Sequence, residues 1–186
     1  MARTILLPHL AAAIIATVLT GLIYVSVQQA YRMGANDPQL QVARQIAYKL
    51  SANRPVTNMA YNDTVNLLQS LATFIQVYNA NHVLITSTGY IGLTAPLVPP
   101  GVLDAAAHNG ENLVTWQPTQ GVRLACVIEA TSKGNYVLVG RSLAEVEKRE
   151  SNLLTMCILC WLACMGILCS HALLQSWLLN REKANT

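Results

Sequence analysis

The chain has 186 residues and a net charge of +3, and 53% of its residues are hydrophobic while only 11% are charged. Because soluble domains usually carry about 25% charged residues, this composition argues against an ordinary soluble protein. The charges also avoid both ends, since residues 4–31 and 151–180 contain none. Residues 32–150 hold nine Lys or Arg against eight Asp or Glu, and such a balance excludes the basic surface that nucleic acid binding requires.

The first predicted element is a membrane-spanning helix over residues 5–27. This apolar run exceeds the roughly 20 residues that a helix needs to cross a bilayer. Pro8 falls in its first turns, where a missing backbone donor is tolerated. A cleaved signal peptide would have an apolar core of about 7–15 residues followed by a small-residue cleavage site. Residues 28–31, Gln-Gln-Ala-Tyr, do not provide such a site, so we expect a retained anchor.

A second spanning helix is predicted over residues 153–174, between the charges of Glu150 and Arg181. Two crossings return the chain to its starting side, so both termini should face the same compartment. The Lys and Arg residues flanking the spans are too evenly distributed to set the orientation. The predicted organisation is an N-terminal tail with the first transmembrane helix (1–30), a folded domain (31–150), the second transmembrane helix (151–180) and a short tail (181–186).

Small residues recur at four-residue spacing in both predicted spans. They are Ala12, Ala16 and Thr20 in the first span, and Gly166 and Ser170 in the second. Such stripes let helix backbones approach closely in lipid. We therefore expect these residues to pack the two spans against each other or against a second copy, although Ala and Gly are also common in membrane helices for other reasons.

The cysteines are concentrated in the second span, which contains Cys157, Cys160, Cys164 and Cys169. The first three share one face of a helix. A metal site there would need thiolates at bilayer depth, which is costly, so we interpret these residues as small packing groups and predict no metal and no cofactor. Cys126 is alone in the middle domain, which therefore has no internal disulfide.

The middle domain is predicted to begin with a helix, because residues 36–38, Asn-Asp-Pro, are a helix-start signal. Val42, Ile46 and Leu50 then give an apolar stripe, and residues 53–55, Asn-Arg-Pro, should end the helix. A second helix is predicted over residues 62–72, with Val65, Leu68 and Leu71 facing inward.

Beyond residue 72 the hydrophobic period changes from about 3.6 to 2, which indicates strands. One short helix is predicted over residues 100–108. The predicted strands are residues 74–78, 82–87, 112–117, 122–130 and 136–141. The absence of a long crossover favours an antiparallel sheet with helices on one side, which is an α+β domain. Alternation along the fourth strand points Cys126 to the core. A last helix, capped by Ser142, should run into the second span.

Four short strings resemble the extracytoplasmic PAS-like (Cache, or PDC) sensor domains of bacterial sensor kinases and chemoreceptors. They are residues 35–39 (Ala-Asn-Asp-Pro-Gln), 114–118 (Val-Thr-Trp-Gln-Pro), 121–123 (Gly-Val-Arg) and 140–143 (Gly-Arg-Ser-Leu). The resemblance covers residues 31–150 and both flanking spans. It implies a five-stranded antiparallel PAS/Cache-like sheet with flanking helices, inserted between the two transmembrane helices.

The resemblance also implies a location and partners. The protein would lie in the bacterial inner membrane with both termini cytoplasmic and the domain extracytoplasmic, and it would act as a homodimer or with a membrane signalling partner. Only residues 181–186 follow the second span, so the kinase part of the resembling proteins is missing. The expected protein is a sensor module without its own output domain.

Five residues of the middle domain are candidates for binding a small-molecule ligand: Arg123, Trp116, Tyr78, Tyr90 and His108. An Arg in mid-sheet can grip a carboxylate with its fork of donors, and the aromatic residues can supply an apolar wall. The alternative is structural, with Arg123 paired to Glu129 or Glu111 and Trp116 in the core.

The sequence contains no nucleophile–base pair, metal-ligand cluster or phosphate loop, so no enzymatic reaction is predicted. Two functions remain. The first is a membrane-anchored sensor or ligand-binding module that acts through a partner. The second is an interaction or assembly subunit of a membrane protein complex, with no small-molecule ligand. An enclosed pocket near Arg123 would favour the first, and a filled interior with an exposed apolar patch would favour the second.

Overall fold

A computed structural model describes residues 2–52 and 64–184. The chain divides into two compact units. One, the helical unit, comprises Met1–Tyr31 and Lys148–Thr186, and the other, the sheet domain, comprises Arg32–Glu147.

The helical unit is built from two long helices, α1 (Ala2–Gly34) and the greater part of α4 (Ala144–Ala184). Two stretches, Leu6–Ser51 and Ala144–Arg181, are long and apolar enough to cross a membrane, and each contains an 18-residue window of mean hydropathy 2.3 that is not buried inside the protein. They include residues 6–27 of the first predicted span, 5–27, and the whole of the second, 153–174. Each segment therefore meets both requirements for a membrane crossing, sufficient length and apolar composition.

The helices of this unit face each other along stripes of partly buried residues. On α1 the stripe includes Ala12, Ala16 and Thr20, as the small-residue pattern predicts. On α4 the partly buried residues differ from the predicted pair, and most of them are larger; they include Leu153, Cys157, Trp161, Met165, Leu168 and Ala172.

The packing role predicted for Gly166 and Ser170 is wrong for contact between α1 and α4. Both residues are exposed, and a Cβ added to Gly166 would have no atom within 4 Å apart from its own helix. The physical reason is that the indole of Trp161 donates a hydrogen bond of 2.9 Å to the Thr17 hydroxyl. This contact turns the Trp161 side of α4, not the small-residue side, toward α1.

The sheet domain contains a five-stranded antiparallel sheet. The strands are β2 (Phe74–Tyr78), β3 (Leu84–Ser87), β5 (Glu111–Thr119), β6 (Val122–Ala130) and β7 (Tyr136–Ser142). Their order in the sheet is β3-β2-β7-β6-β5. The predicted strands and the antiparallel α+β class are therefore confirmed. A pair of two-residue strands, β1 (Val65–Asn66) and β4 (Gly89–Tyr90), is parallel and was not predicted.

The prediction of helices on one side of the sheet is wrong, because helices cover both faces. Helix α2 (Asp37–Ser51) packs on β6 and β7 through Ala43, Ile46 and Ala47. Helix α3 (Pro100–Asn109) packs on β5 and β6 from the other face. The central strands are apolar on both sides, with Val127 facing α2 and the neighbouring Cys126 in the core on the α3 side. Strands covered on both faces are typically near-continuous apolar runs.

The predicted helix over residues 62–72 is also wrong within the described residues, which resume at residue 64. The chain forms β1 and then turns, leaving Leu68 and Leu71 52% and 44% exposed. The Asn66 carboxamide accepts a hydrogen bond from the Leu68 backbone N–H, and the Ser70 hydroxyl accepts one from Ala72. Such local side-chain bonds compete with helix formation. The predicted start of this helix lies outside the described residues.

The remaining helix boundaries agree with the sequence patterns. Helix α2 begins at Asp37 with Pro38 in its first turn and ends at Ser51; the predicted stop at residues 53–55 lies outside the described residues. Helix α3 ends before Gly110, whose φ of +83° suits glycine. Helix α4 begins at Ala144, whose backbone N–H donates to the Ser142 hydroxyl at 3.3 Å, as expected for a capping serine.

Candidate functional site

Arg123 and Trp116 lie on opposite faces of the sheet. Trp116 pairs with Leu124 in the β5–β6 register and is buried in the core on the α3 side, whereas Arg123 precedes Leu124 and points to the α2 side. The Arg123 guanidinium pairs with Glu147 at 2.5 Å. Arg123 is thus in an ion pair, but the predicted partners Glu129 and Glu111 are wrong, because the first turn of α4 brings Glu147 beside the guanidinium.

Tyr78 is a satisfied core residue. Its side chain is 1% exposed, and its hydroxyl donates to Gln76 Oε1 at 2.8 Å and accepts from the Val98 backbone N–H at 3.4 Å. Gln76 in turn donates to the Pro96 carbonyl at 2.8 Å. Burial raises the pKa of Tyr78 to about 12, so its hydroxyl stays protonated and continues to donate at neutral pH.

Tyr90 and His108 lie apart from that core. Tyr90 is half-buried in β4, and His108 is exposed at the end of α3, where its Nδ1 lies 2.9 Å from the Asp104 carbonyl oxygen. Arg123 lies on the α2 face of the sheet, whereas Trp116 and Tyr78 lie in the core on the other face. Tyr90 and His108 lie outside this core. The structure therefore does not bring the five predicted ligand residues together in one site. Cys126 is buried where alternation predicts, and burial raises the pKa of its thiol, which makes it an unreactive core residue.

The two glutamates considered as partners of Arg123 form a separate charged group at the far end of the β5–β6 pair. Glu111 and Glu129 are directly paired across the strands, and Arg44 of α2 donates to Glu111 at 2.8 Å. Within the described residues, Glu129 Oε2 is buried without a hydrogen-bond partner. Burial, and after it the charge of Glu111, raises the pKa of Glu129 despite the opposing effect of Arg44.

A small cleft lies between the beginning of α2 and the beginning of α4. Its free volume is about 20 Å³, room for about one water molecule. Its lining residues lie just before or within the first turn of each helix and on strands β6 and β7: Ala35, Gln39, Ala125, Arg141, Ser142, Leu143, Glu145 and Val146. All of these residues belong to the sheet domain.

Gln39 is the unusual residue of this cleft. Its side chain is 1% exposed, and neither its Nε2 nor its Oε1 has a hydrogen-bond partner among the described residues. A buried polar group without a partner costs on the order of 1–3 kcal/mol. Native proteins rarely retain such a group without a bound water, a ligand or a functional reason. A molecule in the cleft could therefore accept a hydrogen bond from Gln39 Nε2 and donate one to Gln39 Oε1.

The charges beside Gln39 are already paired. The Arg141 guanidinium donates to Glu145 at 2.9 Å and to the Leu71 carbonyl at 3.0 Å. The ion pair leaves the cleft with no net charge from these two residues, and both side chains are more than a third exposed on its rim. Such a pair contributes little stability by itself because water screens it.

Sequence reasoning missed Gln39, although one signal was present. Gln39 precedes Ala43 by four positions and Ile46 by seven, so helical periodicity places it on the buried face of α2. A glutamine in an apolar stripe is a cue for a buried polar contact. What the periodicity does not give is the lack of a partner, since that depends on the chain returning at Arg141 and Leu143.

A second polar contact lies within the helical unit. His9 Nε2 and His171 Nδ1 are 3.0 Å apart, and their rings stack with centroids 5.3 Å apart. Side chains of this kind in apolar helices usually meet a polar partner. Across the described residues, no group of three or more His, Cys, Asp or Glu side chains is placed to hold a metal ion.

Comparison with known proteins does not assign a function to this site. No protein-family model matches the chain, and no curated protein is significantly similar to it.

Proposed function

We propose that the chain is a two-span membrane protein whose sheet domain is a sensory module that acts through a partner protein. Support for the membrane location comes from the apolar side chains that α1 and α4 expose. Leu7, Ile15, Ile167 and Leu173 are each between 58% and 70% exposed. A surface of this kind around both helices is costly in water and suits lipid.

The observation that carries the sensory part of the proposal is the cleft at Gln39. Its lining includes Ala35, just before α2, and Leu143 and Val146 at the beginning of α4. These are the points where the chain enters and leaves the sheet domain. A ligand bound there would act on the first turn of α4, and signalling displacements of helices are typically on the order of 1–2 Å.

The finer features of this proposal come from the resemblance to PAS-like sensors. They are a Cache-like identity of the domain, an extracytoplasmic domain with both termini cytoplasmic in the bacterial inner membrane, and a homodimer or membrane signalling partner. The five-stranded antiparallel sheet with flanking helices is compatible with them. On this proposal the chain has no enzymatic activity and passes its signal to another protein.

The test is a ligand screen by thermal unfolding on the full-length protein in lipid nanodiscs. The panel contains small carboxylates, amines, amides and sugars. A ligand at 100 times its Kd adds about 2.7 kcal/mol of stability, so a sensor should show a saturable rise in Tm with at least one class. A panel that leaves Tm unchanged throughout would contradict the sensory function.

A second function, an assembly subunit without a small-molecule ligand, is favoured by a different observation. Val83, Ile85, Leu93 and Leu97 are each at least 58% exposed, and Leu93 is fully exposed in the turn closed by hydrogen bonds between Ile91 and Thr94. The filled core around Tyr78 also agrees with this alternative. Exposed apolar residues that cluster mark interaction sites.

Co-purification from native membranes separates the two functions. If the domain is an assembly subunit, Leu93→Asp should release a bound protein that Leu68→Asp retains, since Leu68 is also exposed but outside this loop. If both variants retain the same partners, the Leu93 loop is not an assembly surface.

A further inference from the structure

We propose that the cleft at Gln39 binds a small neutral molecule that carries a carboxamide or urea group, and that binding opens the cleft between α2 and α4. This inference rests on the proposed sensory function and specifies its ligand class. The juxtaposition that carries it is a fully buried amide whose two polar ends have no partner among the described residues, next to an ion pair, one serine and apolar walls.

The chemistry of Gln39 defines the recognition group. A side-chain amide offers one acceptor oxygen and an NH₂ donor side by side, and both are unpaired among the described residues. The matching group is planar and presents an adjacent donor and acceptor, as another primary carboxamide or a urea does. A hydroxyl, amine or ketone matches only part of this pattern, and a buried polar group left unpaired reduces affinity strongly.

The charge of the cleft excludes an ionic ligand. Arg141 and Glu145 already satisfy each other at 2.9 Å. A carboxylate would have to displace Glu145 from the guanidinium, and an ammonium would have to displace Arg141 from the carboxylate. The remaining walls are apolar, from Ala35, Ala125, Leu143 and Val146, except for Ser142, whose hydroxyl accepts a hydrogen bond from the Ala144 backbone N–H. A neutral ligand gains the amide contacts without breaking the ion pair.

The volume of the cleft couples binding to movement. The free space of about 20 Å³ holds about one water molecule, which is less than any carboxamide requires. The ligand must therefore separate the beginning of α2, around Ala35 and Gln39, from Leu143 and Val146. Because Leu143 and Val146 flank the start of α4, this opening is also the movement that a sensor needs.

The experiment uses full-length protein in lipid nanodiscs with acetamide as the probe. Acetone and acetate serve as probes of similar shape that lack the N–H donor, acetate also being charged. Acetamide should give a saturable rise in Tm, about 2–4 °C at several times its Kd. Acetone and acetate should need at least about tenfold higher concentrations for the same effect.

Two glutamine variants of the same helix locate the effect. Gln39→Met should abolish the response to acetamide. It should not unfold the protein, because it replaces an unpaired buried amide by an apolar group of similar shape. Gln41→Met is the matched control, because Gln41 is exposed on α2, and it should respond like the wild type.

Several results would overturn the proposal. The first is a Tm of the wild type that acetamide does not change, which is the result if Gln39 binds only a water molecule. The second is a rise in Tm of Gln39→Met equal to that of the wild type. The third is a rise in Tm with acetone equal to that with acetamide. If acetamide fails while another class of the ligand panel raises Tm, the sensory function stands and only the amide assignment falls. If no class has an effect, both fall together.

Discussion

Glu129 is a residue at which burial and a like charge act in the same direction. Its Oε2 is buried without a partner among the described residues, and Glu111 lies directly opposite on β5. Both effects raise the pKa of Glu129. A raised pKa means that the folded state disfavours the ionised carboxylate. The resulting loss of folding stability is absent at acid pH, where the group is protonated, and appears as the pH rises through the folded-state pKa.

Replacing this carboxyl group should therefore stabilise the domain in a pH-dependent way. We expect Glu129→Gln to raise the free energy of unfolding by about 0.2–1 kcal/mol at pH 7, because like charges opposite each other in a sheet are destabilising and cross-strand pair interactions have this size. At about pH 4, where an unperturbed glutamate is already largely protonated, the variant and the wild type should converge. Thermal unfolding at both pH values measures this difference, and an equal gain at both would contradict the electrostatic origin.

Gly140 is required by the packing of the core rather than by its backbone angles. A Cβ built on Gly140 would overlap the ring of Phe74 and approach Cys126 Sγ to 2.9 Å. Both neighbours are fully buried, so they have no space into which to move. Close packing of this kind makes added methyl groups costly.

Gly140→Ala should destabilise the domain by about 1–3 kcal/mol, measured by thermal or denaturant unfolding. The control is Gly101→Ala in α3, where an added Cβ meets nothing within 4 Å. That substitution should be neutral or stabilising, by up to about 1 kcal/mol. Equal effects of the two variants would show that the Phe74 contact does not restrict position 140.

At the scale of elements, the two long helices show how small-residue patterns succeed and fail. On α1 the pattern of Ala12, Ala16 and Thr20 identifies the partly buried face. On α4 the contacting side carries Trp161, and the small residues lie elsewhere. Larger side chains with a hydrogen-bonding group can decide a helix interface in an apolar environment, because an unpaired polar group there is unfavourable.

The bond between Trp161 and Thr17 can be tested by a double-mutant cycle. Trp161→Phe and Thr17→Val should each weaken the helix pair, with a coupling energy of about 0.6 kcal/mol and at most about 1.7 kcal/mol. Helix association in mixed detergent, followed by fluorescence energy transfer, measures the effect. Trp177→Phe is the control, since the ring of Trp177 is exposed and contacts Arg181 instead; a coupling of zero between positions 161 and 17 would contradict the contact.

For the whole molecule, the two-span proposal makes a topological prediction. Two crossings place both termini in one compartment and the sheet domain in the other. Reporter fusions before Met1 and after Thr186 should give the same compartment. An epitope inserted in the exposed turn at Leu93 should give the opposite one. Termini in different compartments would contradict one of the crossings.

The sequence by itself determined the features that depend on local patterns. Apolar runs without charges predict the two long helices, and alternation predicts β6 and the inward direction of Cys126. The helix-start signal before Pro38 predicts α2. These inferences succeed because the driving force, burial of apolar side chains at a fixed period, is encoded over a few neighbouring residues.

Only the tertiary structure decided the contacts between residues distant in the sequence. Helix coverage of both sheet faces depends on α2 and α3 packing on opposite sides of β6. The Glu147 partner of Arg123 and the lack of a partner for Gln39 among the described residues depend on where the beginning of α4 lies beside β6 and α2. Periodicity indicates which side of an element is buried, but not what buries it, because many pairings bury similar areas. The candidate site lies in that second category, since its chemistry arises only where the two ends of the domain meet.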